Sequence, residues 1–224
     1  ECAAQLVVSA DWLLWLSELP ESASALLATS LEMPLAARAL IDEQVFAWHQ
    51  EANGYKIRHV PAGLPDLLKT RDMLSWEYDP ALGRTKNQAI GASEDRLTWM
   101  RQSPSAYEIA MPKHALRAFA HGEGYYKSCP RETRKAQLEH LLTLHDQLYP
   151  TLRVFLFDAR RLNSSPITVF GPLLAALYMG SNYIAFRDTA RVTAITQHFD
   201  SLVREADHSS HDLPNVLKNL LVDL

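Results

Sequence analysis

The chain has 224 residues, of which 47% are hydrophobic and 21% charged, and its formal net charge is -4 at pH 7. This balance excludes wholesale disorder. The acidic charge does not favour a nucleic-acid-binding surface within these residues, because such surfaces carry a basic excess. No stretch approaches the roughly 18 uninterrupted apolar residues that a membrane span needs, and Cys2 and Cys129 give no disulfide framework. The composition therefore predicts a soluble, cytoplasmic domain without a membrane partner.

The first 50 residues are predicted to be helical. Ser9 is a good N-cap, because its hydroxyl can accept a hydrogen bond from an amide of the next turn. Further helices are predicted over 23–29 and 34–50. Asn53-Gly54 is a turn signal that ends this helical section.

The middle of the chain combines helices with isolated short strands. Lys56 to Val60 alternates in polarity, which predicts a strand that ends before Pro61. The spacing of apolar residues and prolines then predicts, in order, a helix over 66–78, a helix over 86–101, a strand over 107–111, a helix over 112–120, a loop over 121–130 and a helix over 131–148.

The last third changes character, because its short runs are rich in β-branched and aromatic residues. Strands are predicted over 152–159, 166–171, 173–180 and 182–188. Their close spacing and the glycines between them favour antiparallel hairpins. A long helix over 189–206 and a short one ending at 224 complete the chain. The order predicts an α+β fold, with a helical N-terminal lead-in followed by helices packed on a mostly antiparallel sheet.

No motif for catalysis, metal binding or cofactor binding is present in the sequence. The nucleophile elbow, the phosphate-binding loop and the dinucleotide fingerprint are absent. His140 and His145 are five residues apart on one predicted helix, so they do not share a face as a zinc pair would. The chain is therefore predicted not to be an enzyme and to need no metal or cofactor. The alternative is a hydrolase that uses His121, Glu123 and Cys129, since a thiol at a helix N-terminus can be activated.

The segment CAAQLVVSADWLLWL resembles the end of a lambda-repressor-like helix-turn-helix domain of the XRE family. The matching residues are Ala3, Ala4, Leu6, Val8, Ser9, Asp11, Trp12, Leu13 and Leu14. The resemblance implies that residues 1–20 are the remnant of a DNA-binding domain. It also implies that the helices that read operator DNA precede Glu1 and that the regulator acts as a homodimer on two half-sites.

A second resemblance covers roughly residues 40–206 and concerns the C-terminal effector-type domain of such bacterial regulators. It lies in the segments YKIRHVPAGLPDLLKT, EDRLTWMRQ, YEIAMPKHALR, QLEHLLTL, ITVFGP and HFDSLVREA. The insertion of Pro65 and Asp66 departs from the family pattern. The resemblance implies a helical linker over 21–54 and an α+β effector and dimerisation domain over 55–224. The function implied is transcriptional regulation.

A small-molecule effector would need a few convergent polar groups on an apolar lining. The candidate ligand-binding residues in the effector-like part are Arg58, His59, Lys69, Trp76, Arg96 and Glu108. The alternative is an antitoxin-like module, in which the same domain binds a protein instead of a small molecule.

Overall fold

The computed structural model describes residues 31–32, 38–78, 86–179 and 182–224. The predicted helix-turn-helix remnant over 1–20 and the predicted helix over 23–29 lie outside the described residues. The helices are α1 (Arg38–Glu51), α2 (Arg71–Glu77), α3 (Lys86–Gln102), α4 (Lys113–His121), α5 (Arg131–Leu148), α6 (Thr189–Arg204) and α7 (Leu213–Val222). The strands are β1 (Leu31–Glu32), β2 (Ile57–Val60), β3 (Tyr107–Pro112), β4 (Leu152–Phe157), β5 (Ile167–Phe170), β6 (Leu174–Tyr178) and β7 (Tyr183–Phe186).

The strands form one mixed sheet in the order β1-β7-β6-β5-β2-β3-β4. The four pairings from β1 to β2 are antiparallel, and β2 with β3 and β3 with β4 pair in parallel. Strands β5, β6 and β7 follow one another as hairpins, as their glycine-punctuated sequence predicts. The predicted α+β class with a mostly antiparallel sheet is confirmed.

Helices cover both faces of the sheet. Successive residues of a strand point to opposite faces, so each strand contributes side chains to two cores. Ile57 and Ile109 pack in the larger core, with residues from α1, α2, α4, α5 and α7. Val60 and Ala110 pack in a smaller core on the other face, with Phe199 and other residues of α6. In β2 and β3, the odd-numbered residues therefore face the larger core and the even-numbered residues face the helix α6.

The larger core extends into the segment predicted as a helical linker. Trp48 of α1 is 1% exposed, and its ring lies 5.8 Å from that of Phe170, measured between centroids. Strand β1 pairs with β7 through Leu31 and Glu32. Both elements lie within the range 21–54, so this part of the chain is packed with the sheet, while the predicted division into domains stays a prediction.

The helix predicted over 66–78 is divided in two. Residues Asp66–Leu68 form a short 3-10 turn, and α2 begins after Thr70. The Thr70 hydroxyl accepts a hydrogen bond from the Met73 amide at 3.2 Å, which is the contact of an N-cap. This break lets the 3-10 turn and α2 present their polar side chains to a common space.

Gly171 occupies a turn that tolerates no side chain. Its φ is +54°, and a Cβ atom there would lie 2.5 Å from Cβ of Tyr55. We expect Gly171→Ala to lower the free energy of unfolding by about 2–3 kcal/mol, because left-handed strain and steric overlap add. Gly54→Ala is the matched control, because Gly54 has a φ of +88° but a Cβ atom there would meet nothing within 4 Å. Chemical denaturation of both variants checks this, and equal losses would contradict the steric account.

Candidate functional site

A cavity of about 250 Å³ lies between the larger-core face of the sheet and the segment that carries the 3-10 turn, α2 and α3. Its apolar lining includes Val45, Ile57, Leu64, Ile109 and Ile167. Its polar lining comprises His49, His59, Asp66, Lys69, Glu77, Tyr78, Arg96, Tyr107, Thr168, Tyr178 and Tyr183. Polar groups from separate elements thus converge on one apolar-walled space, as a small-molecule site requires.

Lys69 joins two carboxylates on one wall of this cavity. Its Nζ lies 2.7 Å from Oδ1 of Asp66 and also donates to Glu77, and its side chain is only 4% exposed. Burial opposes the charge of Lys69, but Asp66 and Glu77 outweigh it and raise the pKa of the amine. Conversely, Lys69 and the Tyr78 hydroxyl, which donates to Asp66 at 2.5 Å, overcome burial and lower the pKa of Asp66. Lys69 and Asp66 are therefore both ionised near neutral pH, and the amine of Lys69 is held in its ammonium form.

The backbone of this wall is held by side chains from two neighbouring helices. Gln137 of α5 is fully buried; its Nε2 donates to the Leu68 carbonyl at 2.8 Å, and its Oε1 accepts from the Thr70 amide at 2.7 Å. Ser93 of α3 donates to the Asp66 carbonyl at 2.6 Å. These bonds satisfy buried backbone groups around the 3-10 turn and fix the position of Asp66 and Lys69.

His49 and His59 face the same cavity from α1 and β2. Nδ1 of His49 lies 2.8 Å from the Val45 carbonyl oxygen. Nδ1 of His59 lies 3.2 Å from the Ile167 carbonyl oxygen and 2.9 Å from the Thr168 hydroxyl. Burial lowers the pKa of each imidazole to about 4. Both rings are therefore neutral at physiological pH.

Tyr107 of β3 adds a hydroxyl group to the lining. The residue is 4% exposed, and burial raises its pKa to about 12. The phenol therefore keeps its proton and can donate a hydrogen bond. Its ring also stacks against that of His49, with the centroids 6.0 Å apart.

The structure brings three of the six predicted ligand-binding residues into this cavity. They are His59, Lys69 and Arg96, which come from β2, the end of the 3-10 turn and α3. Arg96 also donates from Nε to the Ala92 carbonyl at 3.1 Å. Their role in binding a ligand stays a prediction.

The other three predicted residues lie elsewhere. Arg58 alternates with His59 along β2, so it points to the opposite face and contacts Asp200 of α6 at 3.2 Å. Glu108 lies beside it, where it accepts from Lys56 at 3.3 Å and from Arg153. Trp76 packs against Tyr125, with ring centroids 5.7 Å apart. None of these three is among the residues that line the described cavity.

Several cavity residues were not identified from the sequence. They are His49, Asp66, Glu77, Tyr78, Tyr107, Thr168, Tyr178 and Tyr183. Asp66 and Glu77 flank Lys69 within one short segment, so two acidic residues on either side of a lysine already indicate a possible ion cluster. His49 gave no such signal, because only the packing of α1 on the sheet brings it near His59.

The residues of the hydrolase alternative do not show an activated nucleophile. Cys129 is 4% exposed, and its Sγ lies 3.9 Å from Sδ of Met73. Burial raises the pKa of the thiol, which disfavours the reactive thiolate. His121 and Glu123 are exposed at the end of α4. Among the described residues, no group of three or more His, Cys, Asp or Glu side chains is placed to hold a metal ion.

In the part of the chain that the structure describes, no helix combines the length and apolar character needed to span a membrane. No protein-family model matches the chain, and no curated protein matches it.

Among solved structures, the chain is similar to TrmBL2, an archaeal chromatin protein reported with a novel mode of DNA binding. The identity is 11% and the TM-score 0.40, over 81% of this chain and 57% of that one. The chain thus spans little more than half of TrmBL2. It is also similar to Nuc, a phospholipase D family member from Salmonella typhimurium, at 7% identity and a TM-score of 0.43, over 80% of this chain and 97% of that one. Neither likeness carries an argument about function, because both TM-scores are low.

Proposed function

We propose that this chain is the small-molecule-sensing part of a DNA-binding transcriptional regulator that acts as a homodimer. The observation that carries the sensing role is the cavity, in which His49, His59, Arg96 and Tyr107 meet on an apolar lining. The DNA-binding role rests on the resemblance of residues 1–20 to the end of a helix-turn-helix domain, and operator DNA would be contacted by helices that precede Glu1.

The sensing role is one of binding and not of catalysis. Lys69 is held as an ammonium ion between two carboxylates, and the Cys129 thiol is buried with a raised pKa. Neither of these groups is prepared for nucleophilic attack. The hydrophobic walls and fixed polar groups instead suit recognition of a bound molecule.

Capture of a ligand from the host tests the sensing role. The purified chain is incubated with a protein-free extract of the host's small molecules, washed, denatured, and the released compounds are identified by mass spectrometry. The proposal predicts one compound retained in stoichiometric amount. Retention of none would contradict it.

A variant that fills the cavity locates the captured compound. Thr168 lines the cavity and is 8% exposed, so Thr168→Phe places a ring where the ligand would lie. We expect at least a tenfold loss of retention, because the ligand and the new ring compete for one volume. Thr143→Phe, at an exposed position of α5, is the matched control and is expected to retain the compound. Circular dichroism establishes that both variants are folded, and equal retention by both would place the compound outside the cavity.

A further inference from the structure

The tautomers of the two cavity histidines are fixed by their surroundings. A carbonyl oxygen only accepts hydrogen bonds, so the Val45 carbonyl 2.8 Å from Nδ1 of His49 requires a proton on that nitrogen. The Ile167 carbonyl, 3.2 Å from Nδ1 of His59, favours the same tautomer there, in which the Thr168 hydroxyl at 2.9 Å accepts from that nitrogen as well. In a neutral imidazole the other nitrogen then carries a lone pair. Nε2 of each ring is therefore a hydrogen-bond acceptor.

Neither of these two acceptors has a protein donor among the described residues. In that part of the chain, the only side-chain hydrogen bonds of His49 and His59 are those made by Nδ1. A polar atom at a cavity wall without a partner costs free energy unless water or a ligand supplies one. The cavity therefore offers two acceptor atoms to a molecule that carries hydrogen-bond donors.

The described residues that line the cavity carry equal numbers of opposite charges. Asp66 and Glu77 are acidic, and Lys69 and Arg96 are basic. The lysine is already bonded to both carboxylates. An anion or a cation would enter this space without a net opposite charge to offset its desolvation, which is expensive for an ion. The balance favours an uncharged occupant.

The volume limits the size of that occupant. The cavity volume of about 250 Å³ lies below the range of about 300–1,000 Å³ that is usual for drug-sized ligands. A molecule with a single ring and short substituents fits this limit.

We propose that the cavity binds an uncharged, single-ring-sized molecule that donates hydrogen bonds to Nε2 of His49 and to Nε2 of His59. This inference rests on the proposed sensing function, and it adds the chemical class of the ligand. The low pKa values of both imidazoles support it, because a protonated ring would offer a donor in place of the acceptor.

Nitrogen-15 NMR of the histidine rings tests the acceptors in the unliganded chain. We expect both Nε2 resonances at the position of an unprotonated nitrogen throughout the range from pH 5.5 to pH 8. A protonated Nε2 on either ring in that range would overturn the inference. This measurement uses the wild-type chain, so it does not depend on the folding of any variant.

Three matched probes test the chemical class by titration with the same NMR readout. Resorcinol has two donors, its dimethyl ether has none, and benzoate is an anion of similar size. We expect resorcinol to bind and to shift both Nε2 resonances, and the ether and benzoate to bind at least tenfold more weakly. Tighter binding of benzoate, equal binding of the ether, or no binding of resorcinol would overturn the inference. The sensing function would survive any of these results, because it is judged by capture from the host extract.

Substitution with asparagine removes one acceptor at a time. In His49→Asn and His59→Asn, the side-chain amide can retain a donor near the position of Nδ1, while the Nε2 acceptor is lost. Each variant is expected to weaken resorcinol binding by roughly three- to tenfold, as the loss of one hydrogen bond implies. His114→Asn, at an exposed position of α4, is the control and should bind as the wild type does. Unchanged binding by both cavity variants would contradict the proposal.

Discussion

Lys69→Met is expected to lower the free energy of unfolding by about 3–5 kcal/mol at pH 7.5. The substitution leaves Asp66 and Glu77 close together, partly buried and without their shared cation, and removal of one member of a buried ion cluster costs roughly this much. Methionine is of similar length, so the loss is electrostatic more than steric. Urea denaturation followed by tryptophan fluorescence measures it.

The pH dependence separates this electrostatic effect from a packing defect. In the wild type the pKa of Asp66 is lowered, so its contribution to stability is present above about pH 4 and is lost as the pH falls. Once Lys69 is removed, we expect burial and the neighbouring Glu77 to raise the folded-state pKa of Asp66. The variant should therefore recover part of its lost stability between pH 7.5 and pH 5, where protonation relieves the repulsion.

Lys56→Met is the matched control for this prediction. Lys56 also pairs with a carboxylate, Glu108, but its side chain is 37% exposed, and Glu108 keeps Arg153 as a partner. We expect a loss of at most about 1 kcal/mol, as is usual for an exposed ion pair. Equal losses in the two variants would contradict the claim that Lys69 neutralises buried carboxylates at the cavity wall.

Stability is also expected to fall steeply between pH 6.5 and pH 4 because of His49 and His59. Their pKa is lowered from 6.5 to about 4 in the folded chain, so the unfolded chain binds two protons in this window that the folded chain does not. The contribution is complete above pH 6.5 and is lost as the pH falls. Two protons correspond to a slope of at most about 2.7 kcal/mol per pH unit. Urea denaturation at intervals of half a pH unit checks the slope.

The contribution of the two cavity histidines is isolated by the variant that carries both His49→Asn and His59→Asn. Burial also lowers the pKa values of His140 and His145, so these residues add a loss in the same direction. The double variant retains that background and should lose most of the remaining slope, whereas His114→Asn should keep it. A slope that is unchanged in the double variant would contradict the account of two neutral imidazoles.

Much of the secondary structure could be predicted because its signals are local. Helix α5 has the bounds Arg131–Leu148 that the sequence predicts, since Pro130 precedes its apolar repeat and Pro150 follows it. The hairpins of β5, β6 and β7 follow from short β-branched runs separated by glycines. The parallel pairing of β2, β3 and β4 was not predicted, although long helical connections between these strands are the usual route to a parallel sheet.

The residues that line the cavity could be predicted only in part, because contacts between distant parts of the chain bring them together. His59, Lys69 and Arg96 were predicted as ligand-binding residues and do line one cavity. Arg58 was grouped with His59, although the predicted strand already implied that adjacent residues face opposite sides. His49 could not be assigned, because its approach to the sheet depends on the burial of Trp48 and its neighbours more than 50 residues from β3 in the chain.

The most direct test of the sensing cavity is methyl NMR of the chain with labelled isoleucines, recorded with and without the host's protein-free small-molecule extract. Ile57 and Ile109 line the cavity and belong to the larger core, whereas Ile195 of α6 packs on the smaller core at the opposite face of the sheet. The account predicts that the extract shifts the methyl resonances of Ile57 and Ile109 and leaves that of Ile195 in place. Shifts confined to Ile195, or no shift at all, would contradict the claim that this cavity is where the chain binds its ligand.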